Sequence, residues 1–367
     1  MGAARRLFAS LLLCSLAGWS QNTKIVIPAG TPEDRELTAI AAEADAQKRT
    51  ALYEDFAKKY ADNKAAAAYA DWQLSQQCLA AGDAVKAEEY GNRALELYPN
   101  DLDIVVSQIN VAQAQKNEGK VVDYAVRGAA IFHSIATQPK PADVSDADWK
   151  SRVADEQQSA RSSYEFAETA AYNAIVAEQD PGRRMSCIEK FTPAFPQSKF
   201  EDPISQMALY SLQQLNQPQR LETYGEKALA ANPDSIPTLL MMANAYAEDP
   251  RQAAKAVTYA NKVIALTASA TDNKQKLAAG VARSTLGYAY LQQAKLPAAV
   301  TELKTAVAML QEDPQAQQAA LFRLGYAYAR QNRRADSMAA LQKAAAIDGP
   351  YQAPAKQMLA KVSASGH

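Results

Sequence analysis

The chain has 367 residues, of which 22% are charged, and its 39 basic and 40 acidic residues leave a formal net charge of −1. So balanced a charge creates no field that would attract nucleic acid or an anionic membrane, and this argues against both as partners. The 14 glycines are about half the usual share, which argues against phosphate-binding loops, and the two histidines, His133 and His367, argue against His-based metal sites and catalysis.

The first twenty residues have the layout of a secretory signal peptide. Two arginines precede the apolar run Leu7–Ala17, and small residues occupy positions −3 and −1 of a cleavage site before Gln21. The run is too short for a membrane-spanning helix, which needs about 20 residues. A buried N-terminal helix is the alternative. We expect residues 1–20 to be removed, and no later stretch is apolar enough to span a membrane.

Cys14 raises the question of a lipid anchor. A lipoprotein signal requires a small residue just before the modified cysteine, and Leu13 stands there instead. We therefore expect no lipid attachment at Cys14. The sequence predicts a mature protein that is exported to the periplasm or secreted.

A long internal duplication follows. The segment Lys86–Pro99 recurs as Arg220–Pro233, with the Tyr-Gly and Ala-Leu dipeptides and the final proline in register. The match extends upstream, where Phe56 corresponds to Phe191. Single-residue shifts in the spacing fall where we expect loops, so about 100 residues are duplicated.

A shorter period lies within this duplication. Tyr90 recurs as Tyr124, and the Leu-Gly-Tyr-Ala-Tyr sequence that begins at Leu286 returns at Leu324. A period of about 34 residues with paired helical patterns indicates a solenoid of helix–turn–helix units. Such a unit alone leaves an apolar face exposed, so several units must stack.

The units resemble tetratricopeptide repeats (TPRs). The family has Leu-Gly at positions 7 and 8, an aromatic residue at 11, Gly-Asp at 15 and 16, small residues at 20 and 27, and Pro at 32. The unit 68–101 carries Leu74, Gly82, Asp83, Ala87, Ala94, Leu95 and Pro99; the unit from 280 carries Leu286, Gly287, Tyr290, Ala299 and Ala306; the unit from 318 carries Leu324, Gly325, Tyr328 and Ala344. The segments Phe56–Tyr60 and Phe191–Ser198 are similar to helix endings in exported bacterial TPR proteins.

The resemblance implies an all-α fold, a right-handed superhelical solenoid of about eight antiparallel helix pairs. Small residues at positions 8, 20 and 27 allow the two helices of a unit to cross closely. We expect the following order: signal peptide 1–20, extended lead-in 21–31, TPR-like units 1–3 over 32–135, linker and extended helix 136–166, units 4–6 over 167–270 as the duplicate of 32–135, units 7–8 over 271–351, and a capping helix and tail 352–367.

The sequence contains no motif for catalysis. It has no metal-ligand spacing, nucleophile elbow or phosphate loop. We therefore expect a protein that is not an enzyme and that requires no cofactor and no metal.

In the TPR family the concave face is lined by first-helix positions 2, 5, 9, 12 and 13. Val106 and Leu240 stand at position 5 where the family's chaperone-tail clamp has lysine, so that ligand is excluded. For each aromatic residue, packing against the next unit is the alternative to ligand contact. Transferred to this sequence, the groove positions predict partner-binding roles for Trp72, Asn110, Tyr210, Asn244, Tyr288, Phe322, Tyr326 and Arg330.

Two functions remain open on the sequence. One is an exported, non-catalytic scaffold that binds a protein or peptide along its concave face, and not nucleic acid. The other is a structural spacer or adaptor subunit of an envelope-assembly or cell-wall machine. An exposed apolar groove favours the first, and a smooth polar groove with apolar ends favours the second.

Overall fold

The computed structural model describes residues 24–364. The predicted signal peptide, with Cys14, lies outside the described residues. Within residues 24–364 the secondary structure is helical, with seventeen α-helices and no β-strand, and the predicted all-α fold is confirmed. None of these helices has both the length and the apolar character that crossing a membrane requires.

The helices follow one another as eight helix–turn–helix pairs and a single C-terminal helix, which is a TPR-like arrangement. Their bounds are α1 (Pro32–Ala41), α2 (Ala46–Lys59), α3 (Lys64–Ala80), α4 (Ala84–Leu97), α5 (Leu102–Ala114), α6 (Glu118–Ile135), α7 (Asp146–Ala177), α8 (Pro181–Ala194), α9 (Glu201–Gln214), α10 (Pro218–Ala231), α11 (Ile236–Ala247), α12 (Ala253–Leu266), α13 (Asn273–Gln292), α14 (Leu296–Met309), α15 (Pro314–Arg330), α16 (Arg334–Ala345) and α17 (Gln352–Ala364). A short 3₁₀ turn, Pro250–Gln252, precedes α12.

Two compact units share this chain, with the division inside α7. From here on, unit 1 is the compact unit that ends at Ala171 and unit 2 is the compact unit that begins at Tyr172. Each contains several of the TPR-like repeats. In unit 1, α1 to α6 pack as successive pairs, and in unit 2 the helices from α8 to α17 do the same. The helix α7 begins within the segment 136–166, where the sequence predicts a linker and an extended helix, and it continues to Ala177.

Side-chain caps explain where many helices begin. At the start of α1, Thr31 accepts a hydrogen bond from the Asp34 amide while Pro32 occupies the first helical position. Aspartate or asparagine side chains cap later helices in the same way, because their oxygens accept from amides that the helix leaves unpaired. Such caps are Asp45, Asn63, Asp83, Asp101, Asn117, Asp180, Asp272 and Asp313.

A left-handed residue at position 15 closes the turn within five of the pairs. After it, the next amide donates to a carbonyl five residues earlier, as Asp83 does to Cys78 at 2.9 Å. The predicted glycine occurs only at Gly82, with φ of 84°. The other four turns place ordinary residues in this region: Lys116, Asn216, Ala294 and Asn332.

The two helices of a pair approach each other closely at the glycine of the repeat pattern, position 8 of the first helix. A β-carbon added to Gly287 would lie 2.6 Å from Leu303 Cγ and 3.1 Å from the carbonyl oxygen of Ala299. A β-carbon on Gly325 would lie 2.6 Å from Leu341 Cγ. Larger residues here must separate the helices, at a cost of about 1–3 kcal/mol.

Helix positions agree with the sequence duplication. The helices α2, α4, α5 and α6 of unit 1 recur in the same order as α8, α10, α11 and α12 of unit 2. The starts of corresponding helices are offset along the chain by the same spacing that separates the matched sequence segments.

Candidate functional site

A cavity of about 700 Å³ lies in unit 2 along the first helices of its pairs. We call it the inner groove. Residues of α9, α10, α11, α13 and α15 line it, together with the turns that follow α9 and α11 and with Tyr351. Several lining residues stand at the first-helix positions that the resemblance assigns to a concave face: Gln213, Asn244, Glu248, Val281, Ser284 and Ala319.

A buried arginine, Arg323, lies in the wall of the inner groove and is only 8% exposed. Its Nη1 donates to Ser284 Oγ at 3.1 Å, and its guanidinium carbon lies 4.9 Å from the ring centre of Tyr288. None of the ion pairs within residues 24–364 includes Arg323. A buried cation without an opposite charge is costly, because neither water nor a carboxylate compensates for it.

Three other charged residues of the groove wall, Glu222, Asp249 and Arg251, are already paired. Glu222 binds Lys255 Nζ at 2.7 Å, and this hydrogen bond holds the pKa of Glu222 below its ordinary value. Asp249 accepts two side-chain bonds from Arg251, at 3.0 and 2.8 Å, which lower the pKa of Asp249 to about 2. Among the charged residues of the groove wall, Arg323 and Glu248 have no ion-pair partner within the described residues, and Arg323 is the buried one.

The hydroxyl of Tyr246 in the groove wall is already hydrogen-bonded within the protein. Its hydroxyl donates to Glu226 Oε1 at 2.6 Å and lies 3.3 Å from Glu222 Oε1. Burial, followed by the hydrogen bond and charge of Glu226, raises the pKa of Tyr246 far above its ordinary value. At neutral pH Tyr246 is thus a neutral donor that stabilises the wall, and it is unsuited to proton transfer.

Asn244 lines the inner groove at position 9, as the sequence predicts for a partner-binding residue. Its Oδ1 accepts from Thr285 Oγ1 at 2.6 Å. The amide nitrogen makes no hydrogen bond to the described residues, so its two N–H groups can donate to a ligand carbonyl.

Four other predicted residues lie in the last two repeat pairs of unit 2. Tyr288 is half-buried beneath Arg323, and its hydroxyl is 3.5 Å from Glu248 Oε2. Phe322 packs on the core around Leu341, with its ring 5.3 Å from that of Tyr351. Arg330 donates to the hydroxyl of Tyr326 at 3.3 Å. All four are absent from the lining of the inner groove.

The remaining predicted residues lie elsewhere. Trp72 and Asn110 belong to unit 1, where Trp72 packs edge-on against Tyr69 and Asn110 is exposed. Tyr210, on α9 in unit 2, is 52% exposed and outside the lining of the inner groove. Their partner-binding roles remain predictions.

Sequence reasoning missed Arg323, Ser284 and Tyr351. Position 6 of the first helix, which Arg323 occupies, is not among the five groove positions. A signal was present, because Arg323 is the one charge within the apolar stretch Ala319–Ala329. A cation at that place in a helix needs a reason to be there.

Across residues 24–364, His, Cys, Asp and Glu side chains do not gather in groups of three or more that could hold a metal ion. The polar groups of the inner groove are amide, hydroxyl and guanidinium donors together with the carboxylates of Glu222, Glu248 and Asp249. This arrangement suits recognition of a polar ligand.

Solved structures with TPR-like folds are similar to this chain. The Cut9–Hcn1 hetero-tetramer of the APC/C yields a chain 12% identical over 90% of this chain and 67% of that chain, with a TM-score of 0.44. Yeast Tom70 is 12% identical over 94% and 67%, with a TM-score of 0.41, and a tetratricopeptide repeat protein from Parabacteroides merdae ATCC 43184 is 12% identical over 81% and 98%, with a TM-score of 0.40. No protein-family profile and no curated protein matches the sequence.

Proposed function

We propose that this TPR-like protein is a non-catalytic scaffold that binds an extended segment of a partner protein in the inner groove of unit 2. The segment carries a carboxylate, either an acidic side chain or a chain terminus, that pairs with Arg323. The observation that carries the proposal is the buried guanidinium without a counter-charge. A ligand carboxylate supplies that charge through strong, paired hydrogen bonds.

The neighbouring groups define the rest of the ligand. Asn244 offers two N–H donors, which suit a main-chain carbonyl of an extended peptide. Glu248 is exposed and forms none of the ion pairs within the described residues, so it repels a second acidic group and favours a basic one. The expected ligand therefore has one carboxylate at Arg323 and no acidic residue next to Glu248.

Binding of labelled peptides tests this function. We would measure fluorescence anisotropy with a set of decapeptides that contain a single glutamate at varied positions, together with their glutamine counterparts. We expect glutamate peptides to bind and glutamine peptides to bind at least about tenfold more weakly, because each loses a charge-assisted hydrogen bond. Equal binding of the two sets would refute the role of the carboxylate.

Matched arginine variants locate the site. Arg323→Gln should reduce the affinity for the glutamate peptides by about tenfold or more. Arg161→Gln is the control, because Arg161 is exposed and belongs to unit 1, outside the inner groove. If no glutamate peptide binds, or if both variants bind as the parent does, the proposed function is wrong, and the spacer role becomes the better account.

Export belongs to the same proposal. The layout of residues 1–20 supports a cleaved leader, and the mature protein then acts in the periplasm or outside the cell. N-terminal sequencing of the protein recovered from cell fractions tests this. We expect a mature N-terminus at Gln21 in the exported fraction; an intact N-terminus in the cytosolic fraction would contradict export.

A further inference from the structure

Residues 24–28 precede α1 and lie on unit 1 as an extended segment. They form neither helix nor strand, and their side chains alternate as in an extended chain. Ile25 and Ile27 are half-buried, whereas Val26 between them is 67% exposed. We call this segment the lead-in strap.

Two apolar clusters of unit 1 receive the strap. Ile25 packs against the core cluster that contains Leu95 and Ile104, which Trp72 also contacts. Ile27 packs against the adjacent cluster that contains Phe56 and other residues of the first two helix pairs. The strap thus uses two anchors, on alternate residues, that insert into separate apolar sites.

Polar contacts fix the backbone of the strap. The Ile25 amide donates to Asp101 Oδ2 at 2.9 Å, and Lys24 pairs with Asp103 at 3.2 Å. Asp101 is itself buried, and its Oδ1 accepts from the amides of Asp103 and Ile104 at the start of α5. One carboxylate therefore caps a helix and binds the strap, and burial raises the pKa of Asp101.

We propose that this surface of unit 1 is a second peptide-binding site, and that residues 24–28 occupy it as a tethered ligand. Its ligand class is an extended segment in which a basic residue precedes two isoleucines separated by one residue. The main-chain bond to Asp101 holds an extended backbone, the two apolar sites select the isoleucines, and Asp103 selects the base. This inference is independent of the function proposed for unit 2.

The tether makes the site switchable. Two half-buried isoleucines, one main-chain hydrogen bond and one exposed ion pair form a modest contact, which alone binds weakly. Attachment to α1 raises the effective concentration of the strap to the millimolar range, so it excludes a free peptide of the same sequence. Weakening the strap should open the site.

Competition in trans tests the proposal on the chain of residues 21–367. The probe is a fluorescein-labelled peptide of residues 22–30, followed by anisotropy. Ile25→Asp in the chain should release the strap, because it places a carboxylate on an apolar site beside Asp101. Val26→Asp is the matched control, because Val26 faces solvent. We expect the Ile25→Asp chain to bind the peptide at least about tenfold more tightly than either the parent or the Val26→Asp chain.

Peptide variants and a deletion complete the test. Peptide carrying Val26→Asp should bind the opened chain as the parent peptide does, whereas peptide carrying Ile25→Asp should not bind. A chain that starts at Pro28 lacks residues 24–27 of the strap, including both isoleucines. It should bind the parent peptide as well as the Ile25→Asp chain does. Circular dichroism should show unchanged helix content in every chain compared. Equal peptide binding by all chains, or absence of binding to both opened chains with helix content retained, would overturn the proposal.

Discussion

The duplicated segments of units 1 and 2 fill the same interior positions with different chemistry. In unit 1 the buried Gln108 donates from Nε2 to Ser75 Oγ at 3.1 Å, and Ser75 donates to the Ala87 carbonyl at 2.6 Å. In the duplicate, Leu209 corresponds to Ser75 and Met242 to Gln108, and both are equally buried and apolar. An interior site tolerates either solution, provided that its volume is filled and its polar groups are mostly bonded.

Contacts between the second helices of successive pairs are more similar in the two units than these interior positions are. In each unit a lysine pairs with a glutamate of the preceding second helix, at 2.6 Å in unit 1 and 2.7 Å in unit 2. A tyrosine hydroxyl also donates to the preceding second helix, at 2.8 Å in both. The pairs are Glu88–Lys120 and Asn92–Tyr124 in unit 1 and Glu222–Lys255 and Glu226–Tyr259 in unit 2. Directional contacts require particular partners, whereas apolar packing does not.

Adding a methyl group at the equivalent glycines should show the largest difference between the units. A β-carbon on Gly91 would lie 1.7 Å from Gln108 Nε2, and one on Gly225 would lie 2.0 Å from Met242 Sδ. Methionine adapts by rotating, whereas Gln108 must give up its bond to Ser75. We expect Gly91→Ala to reduce the free energy of unfolding by about 3 kcal/mol and Gly225→Ala by about 1 kcal/mol, measured by urea denaturation.

Gly119→Ala is the control for helix propensity. The nearest atom to a β-carbon there is Asn117 Oδ1 at 3.7 Å, an ordinary contact. This substitution should be neutral or stabilise by up to about 1 kcal/mol. Equal losses for Gly91→Ala and Gly225→Ala would show that the polar interior of unit 1 is as adaptable as the apolar interior of unit 2.

A buried carboxyl gives unit 1 a pH dependence that unit 2 lacks at the equivalent position, where Ser205 stands. Asp71 is 3% exposed, and burial raises its pKa from 3.8 to about 6, against the opposing charge of Arg93 at 2.7 Å. Between these values the folded protein keeps a proton that the unfolded chain releases. The stabilising contribution is therefore complete below pH 4 and is lost as the pH rises through 6.

Asp71→Asn removes this titration. We expect the free energy of unfolding of the parent, relative to Asp71→Asn, to fall by about 2–3 kcal/mol between pH 4 and pH 7. Denaturant titrations at pH 4, 5, 6 and 7 measure the difference. Parallel pH profiles for the two proteins would mean that Asp71 is solvated in the folded state.

Exchanging Gln108 and Met242 tests whether a polar or an apolar residue is more stable at this interior position. Gln108 Oε1 is buried without a hydrogen bond in the described part of the chain. Gln108→Met replaces it with the residue that unit 2 uses and should stabilise by about 1–2 kcal/mol, because it removes the unpaired Oε1 while Ser75 still donates to the Ala87 carbonyl. Met242→Gln should destabilise by a similar amount, as seen by thermal and urea unfolding. A destabilised Gln108→Met would show that the bond to Ser75 outweighs the unpaired oxygen.

The turn residues should give the smallest effect. Ala294 has φ of 59° at the position that Gly82 occupies in unit 1 with φ of 84°. A left-handed backbone is strained for alanine and not for glycine. Ala294→Gly should stabilise by about 1 kcal/mol or less, and Gly82→Ala should destabilise by a similar amount, both measured by shifts of the urea midpoint. Effects of the same sign would contradict this reasoning.

Local signals explain how much of the fold the sequence predicts. Helix caps such as Thr31 and Asp83, small residues at close crossings such as Gly287, and the repeat period act over a few residues or one turn. They can therefore be recognised in the sequence without knowledge of distant contacts. Position 9 of a first helix does not by itself predict a groove residue, because Asn244 lines the inner groove whereas Tyr210 and Tyr288 at the same position do not.

Contacts between one repeat and the next, or between distant segments of the chain, are less predictable from the sequence. Arg323 is distinctive because Ser284 and Tyr288, which belong to the preceding helix pair, surround it while no carboxylate reaches it. The strap is distinctive because Ile25 meets Asp101, 76 residues away. Neither relation has a local pattern, since each depends on where stacked helices bring separate segments together.

The amino-acid order alone determined the all-helical character of this protein, its paired repeats and its internal sequence duplication, because these follow from periodicity and short-range sterics. Only the tertiary structure decided which charge is left without a partner and which segment covers unit 1. Such features depend on the balance of burial and electrostatics among residues far apart in the chain, and packing alone sets that balance.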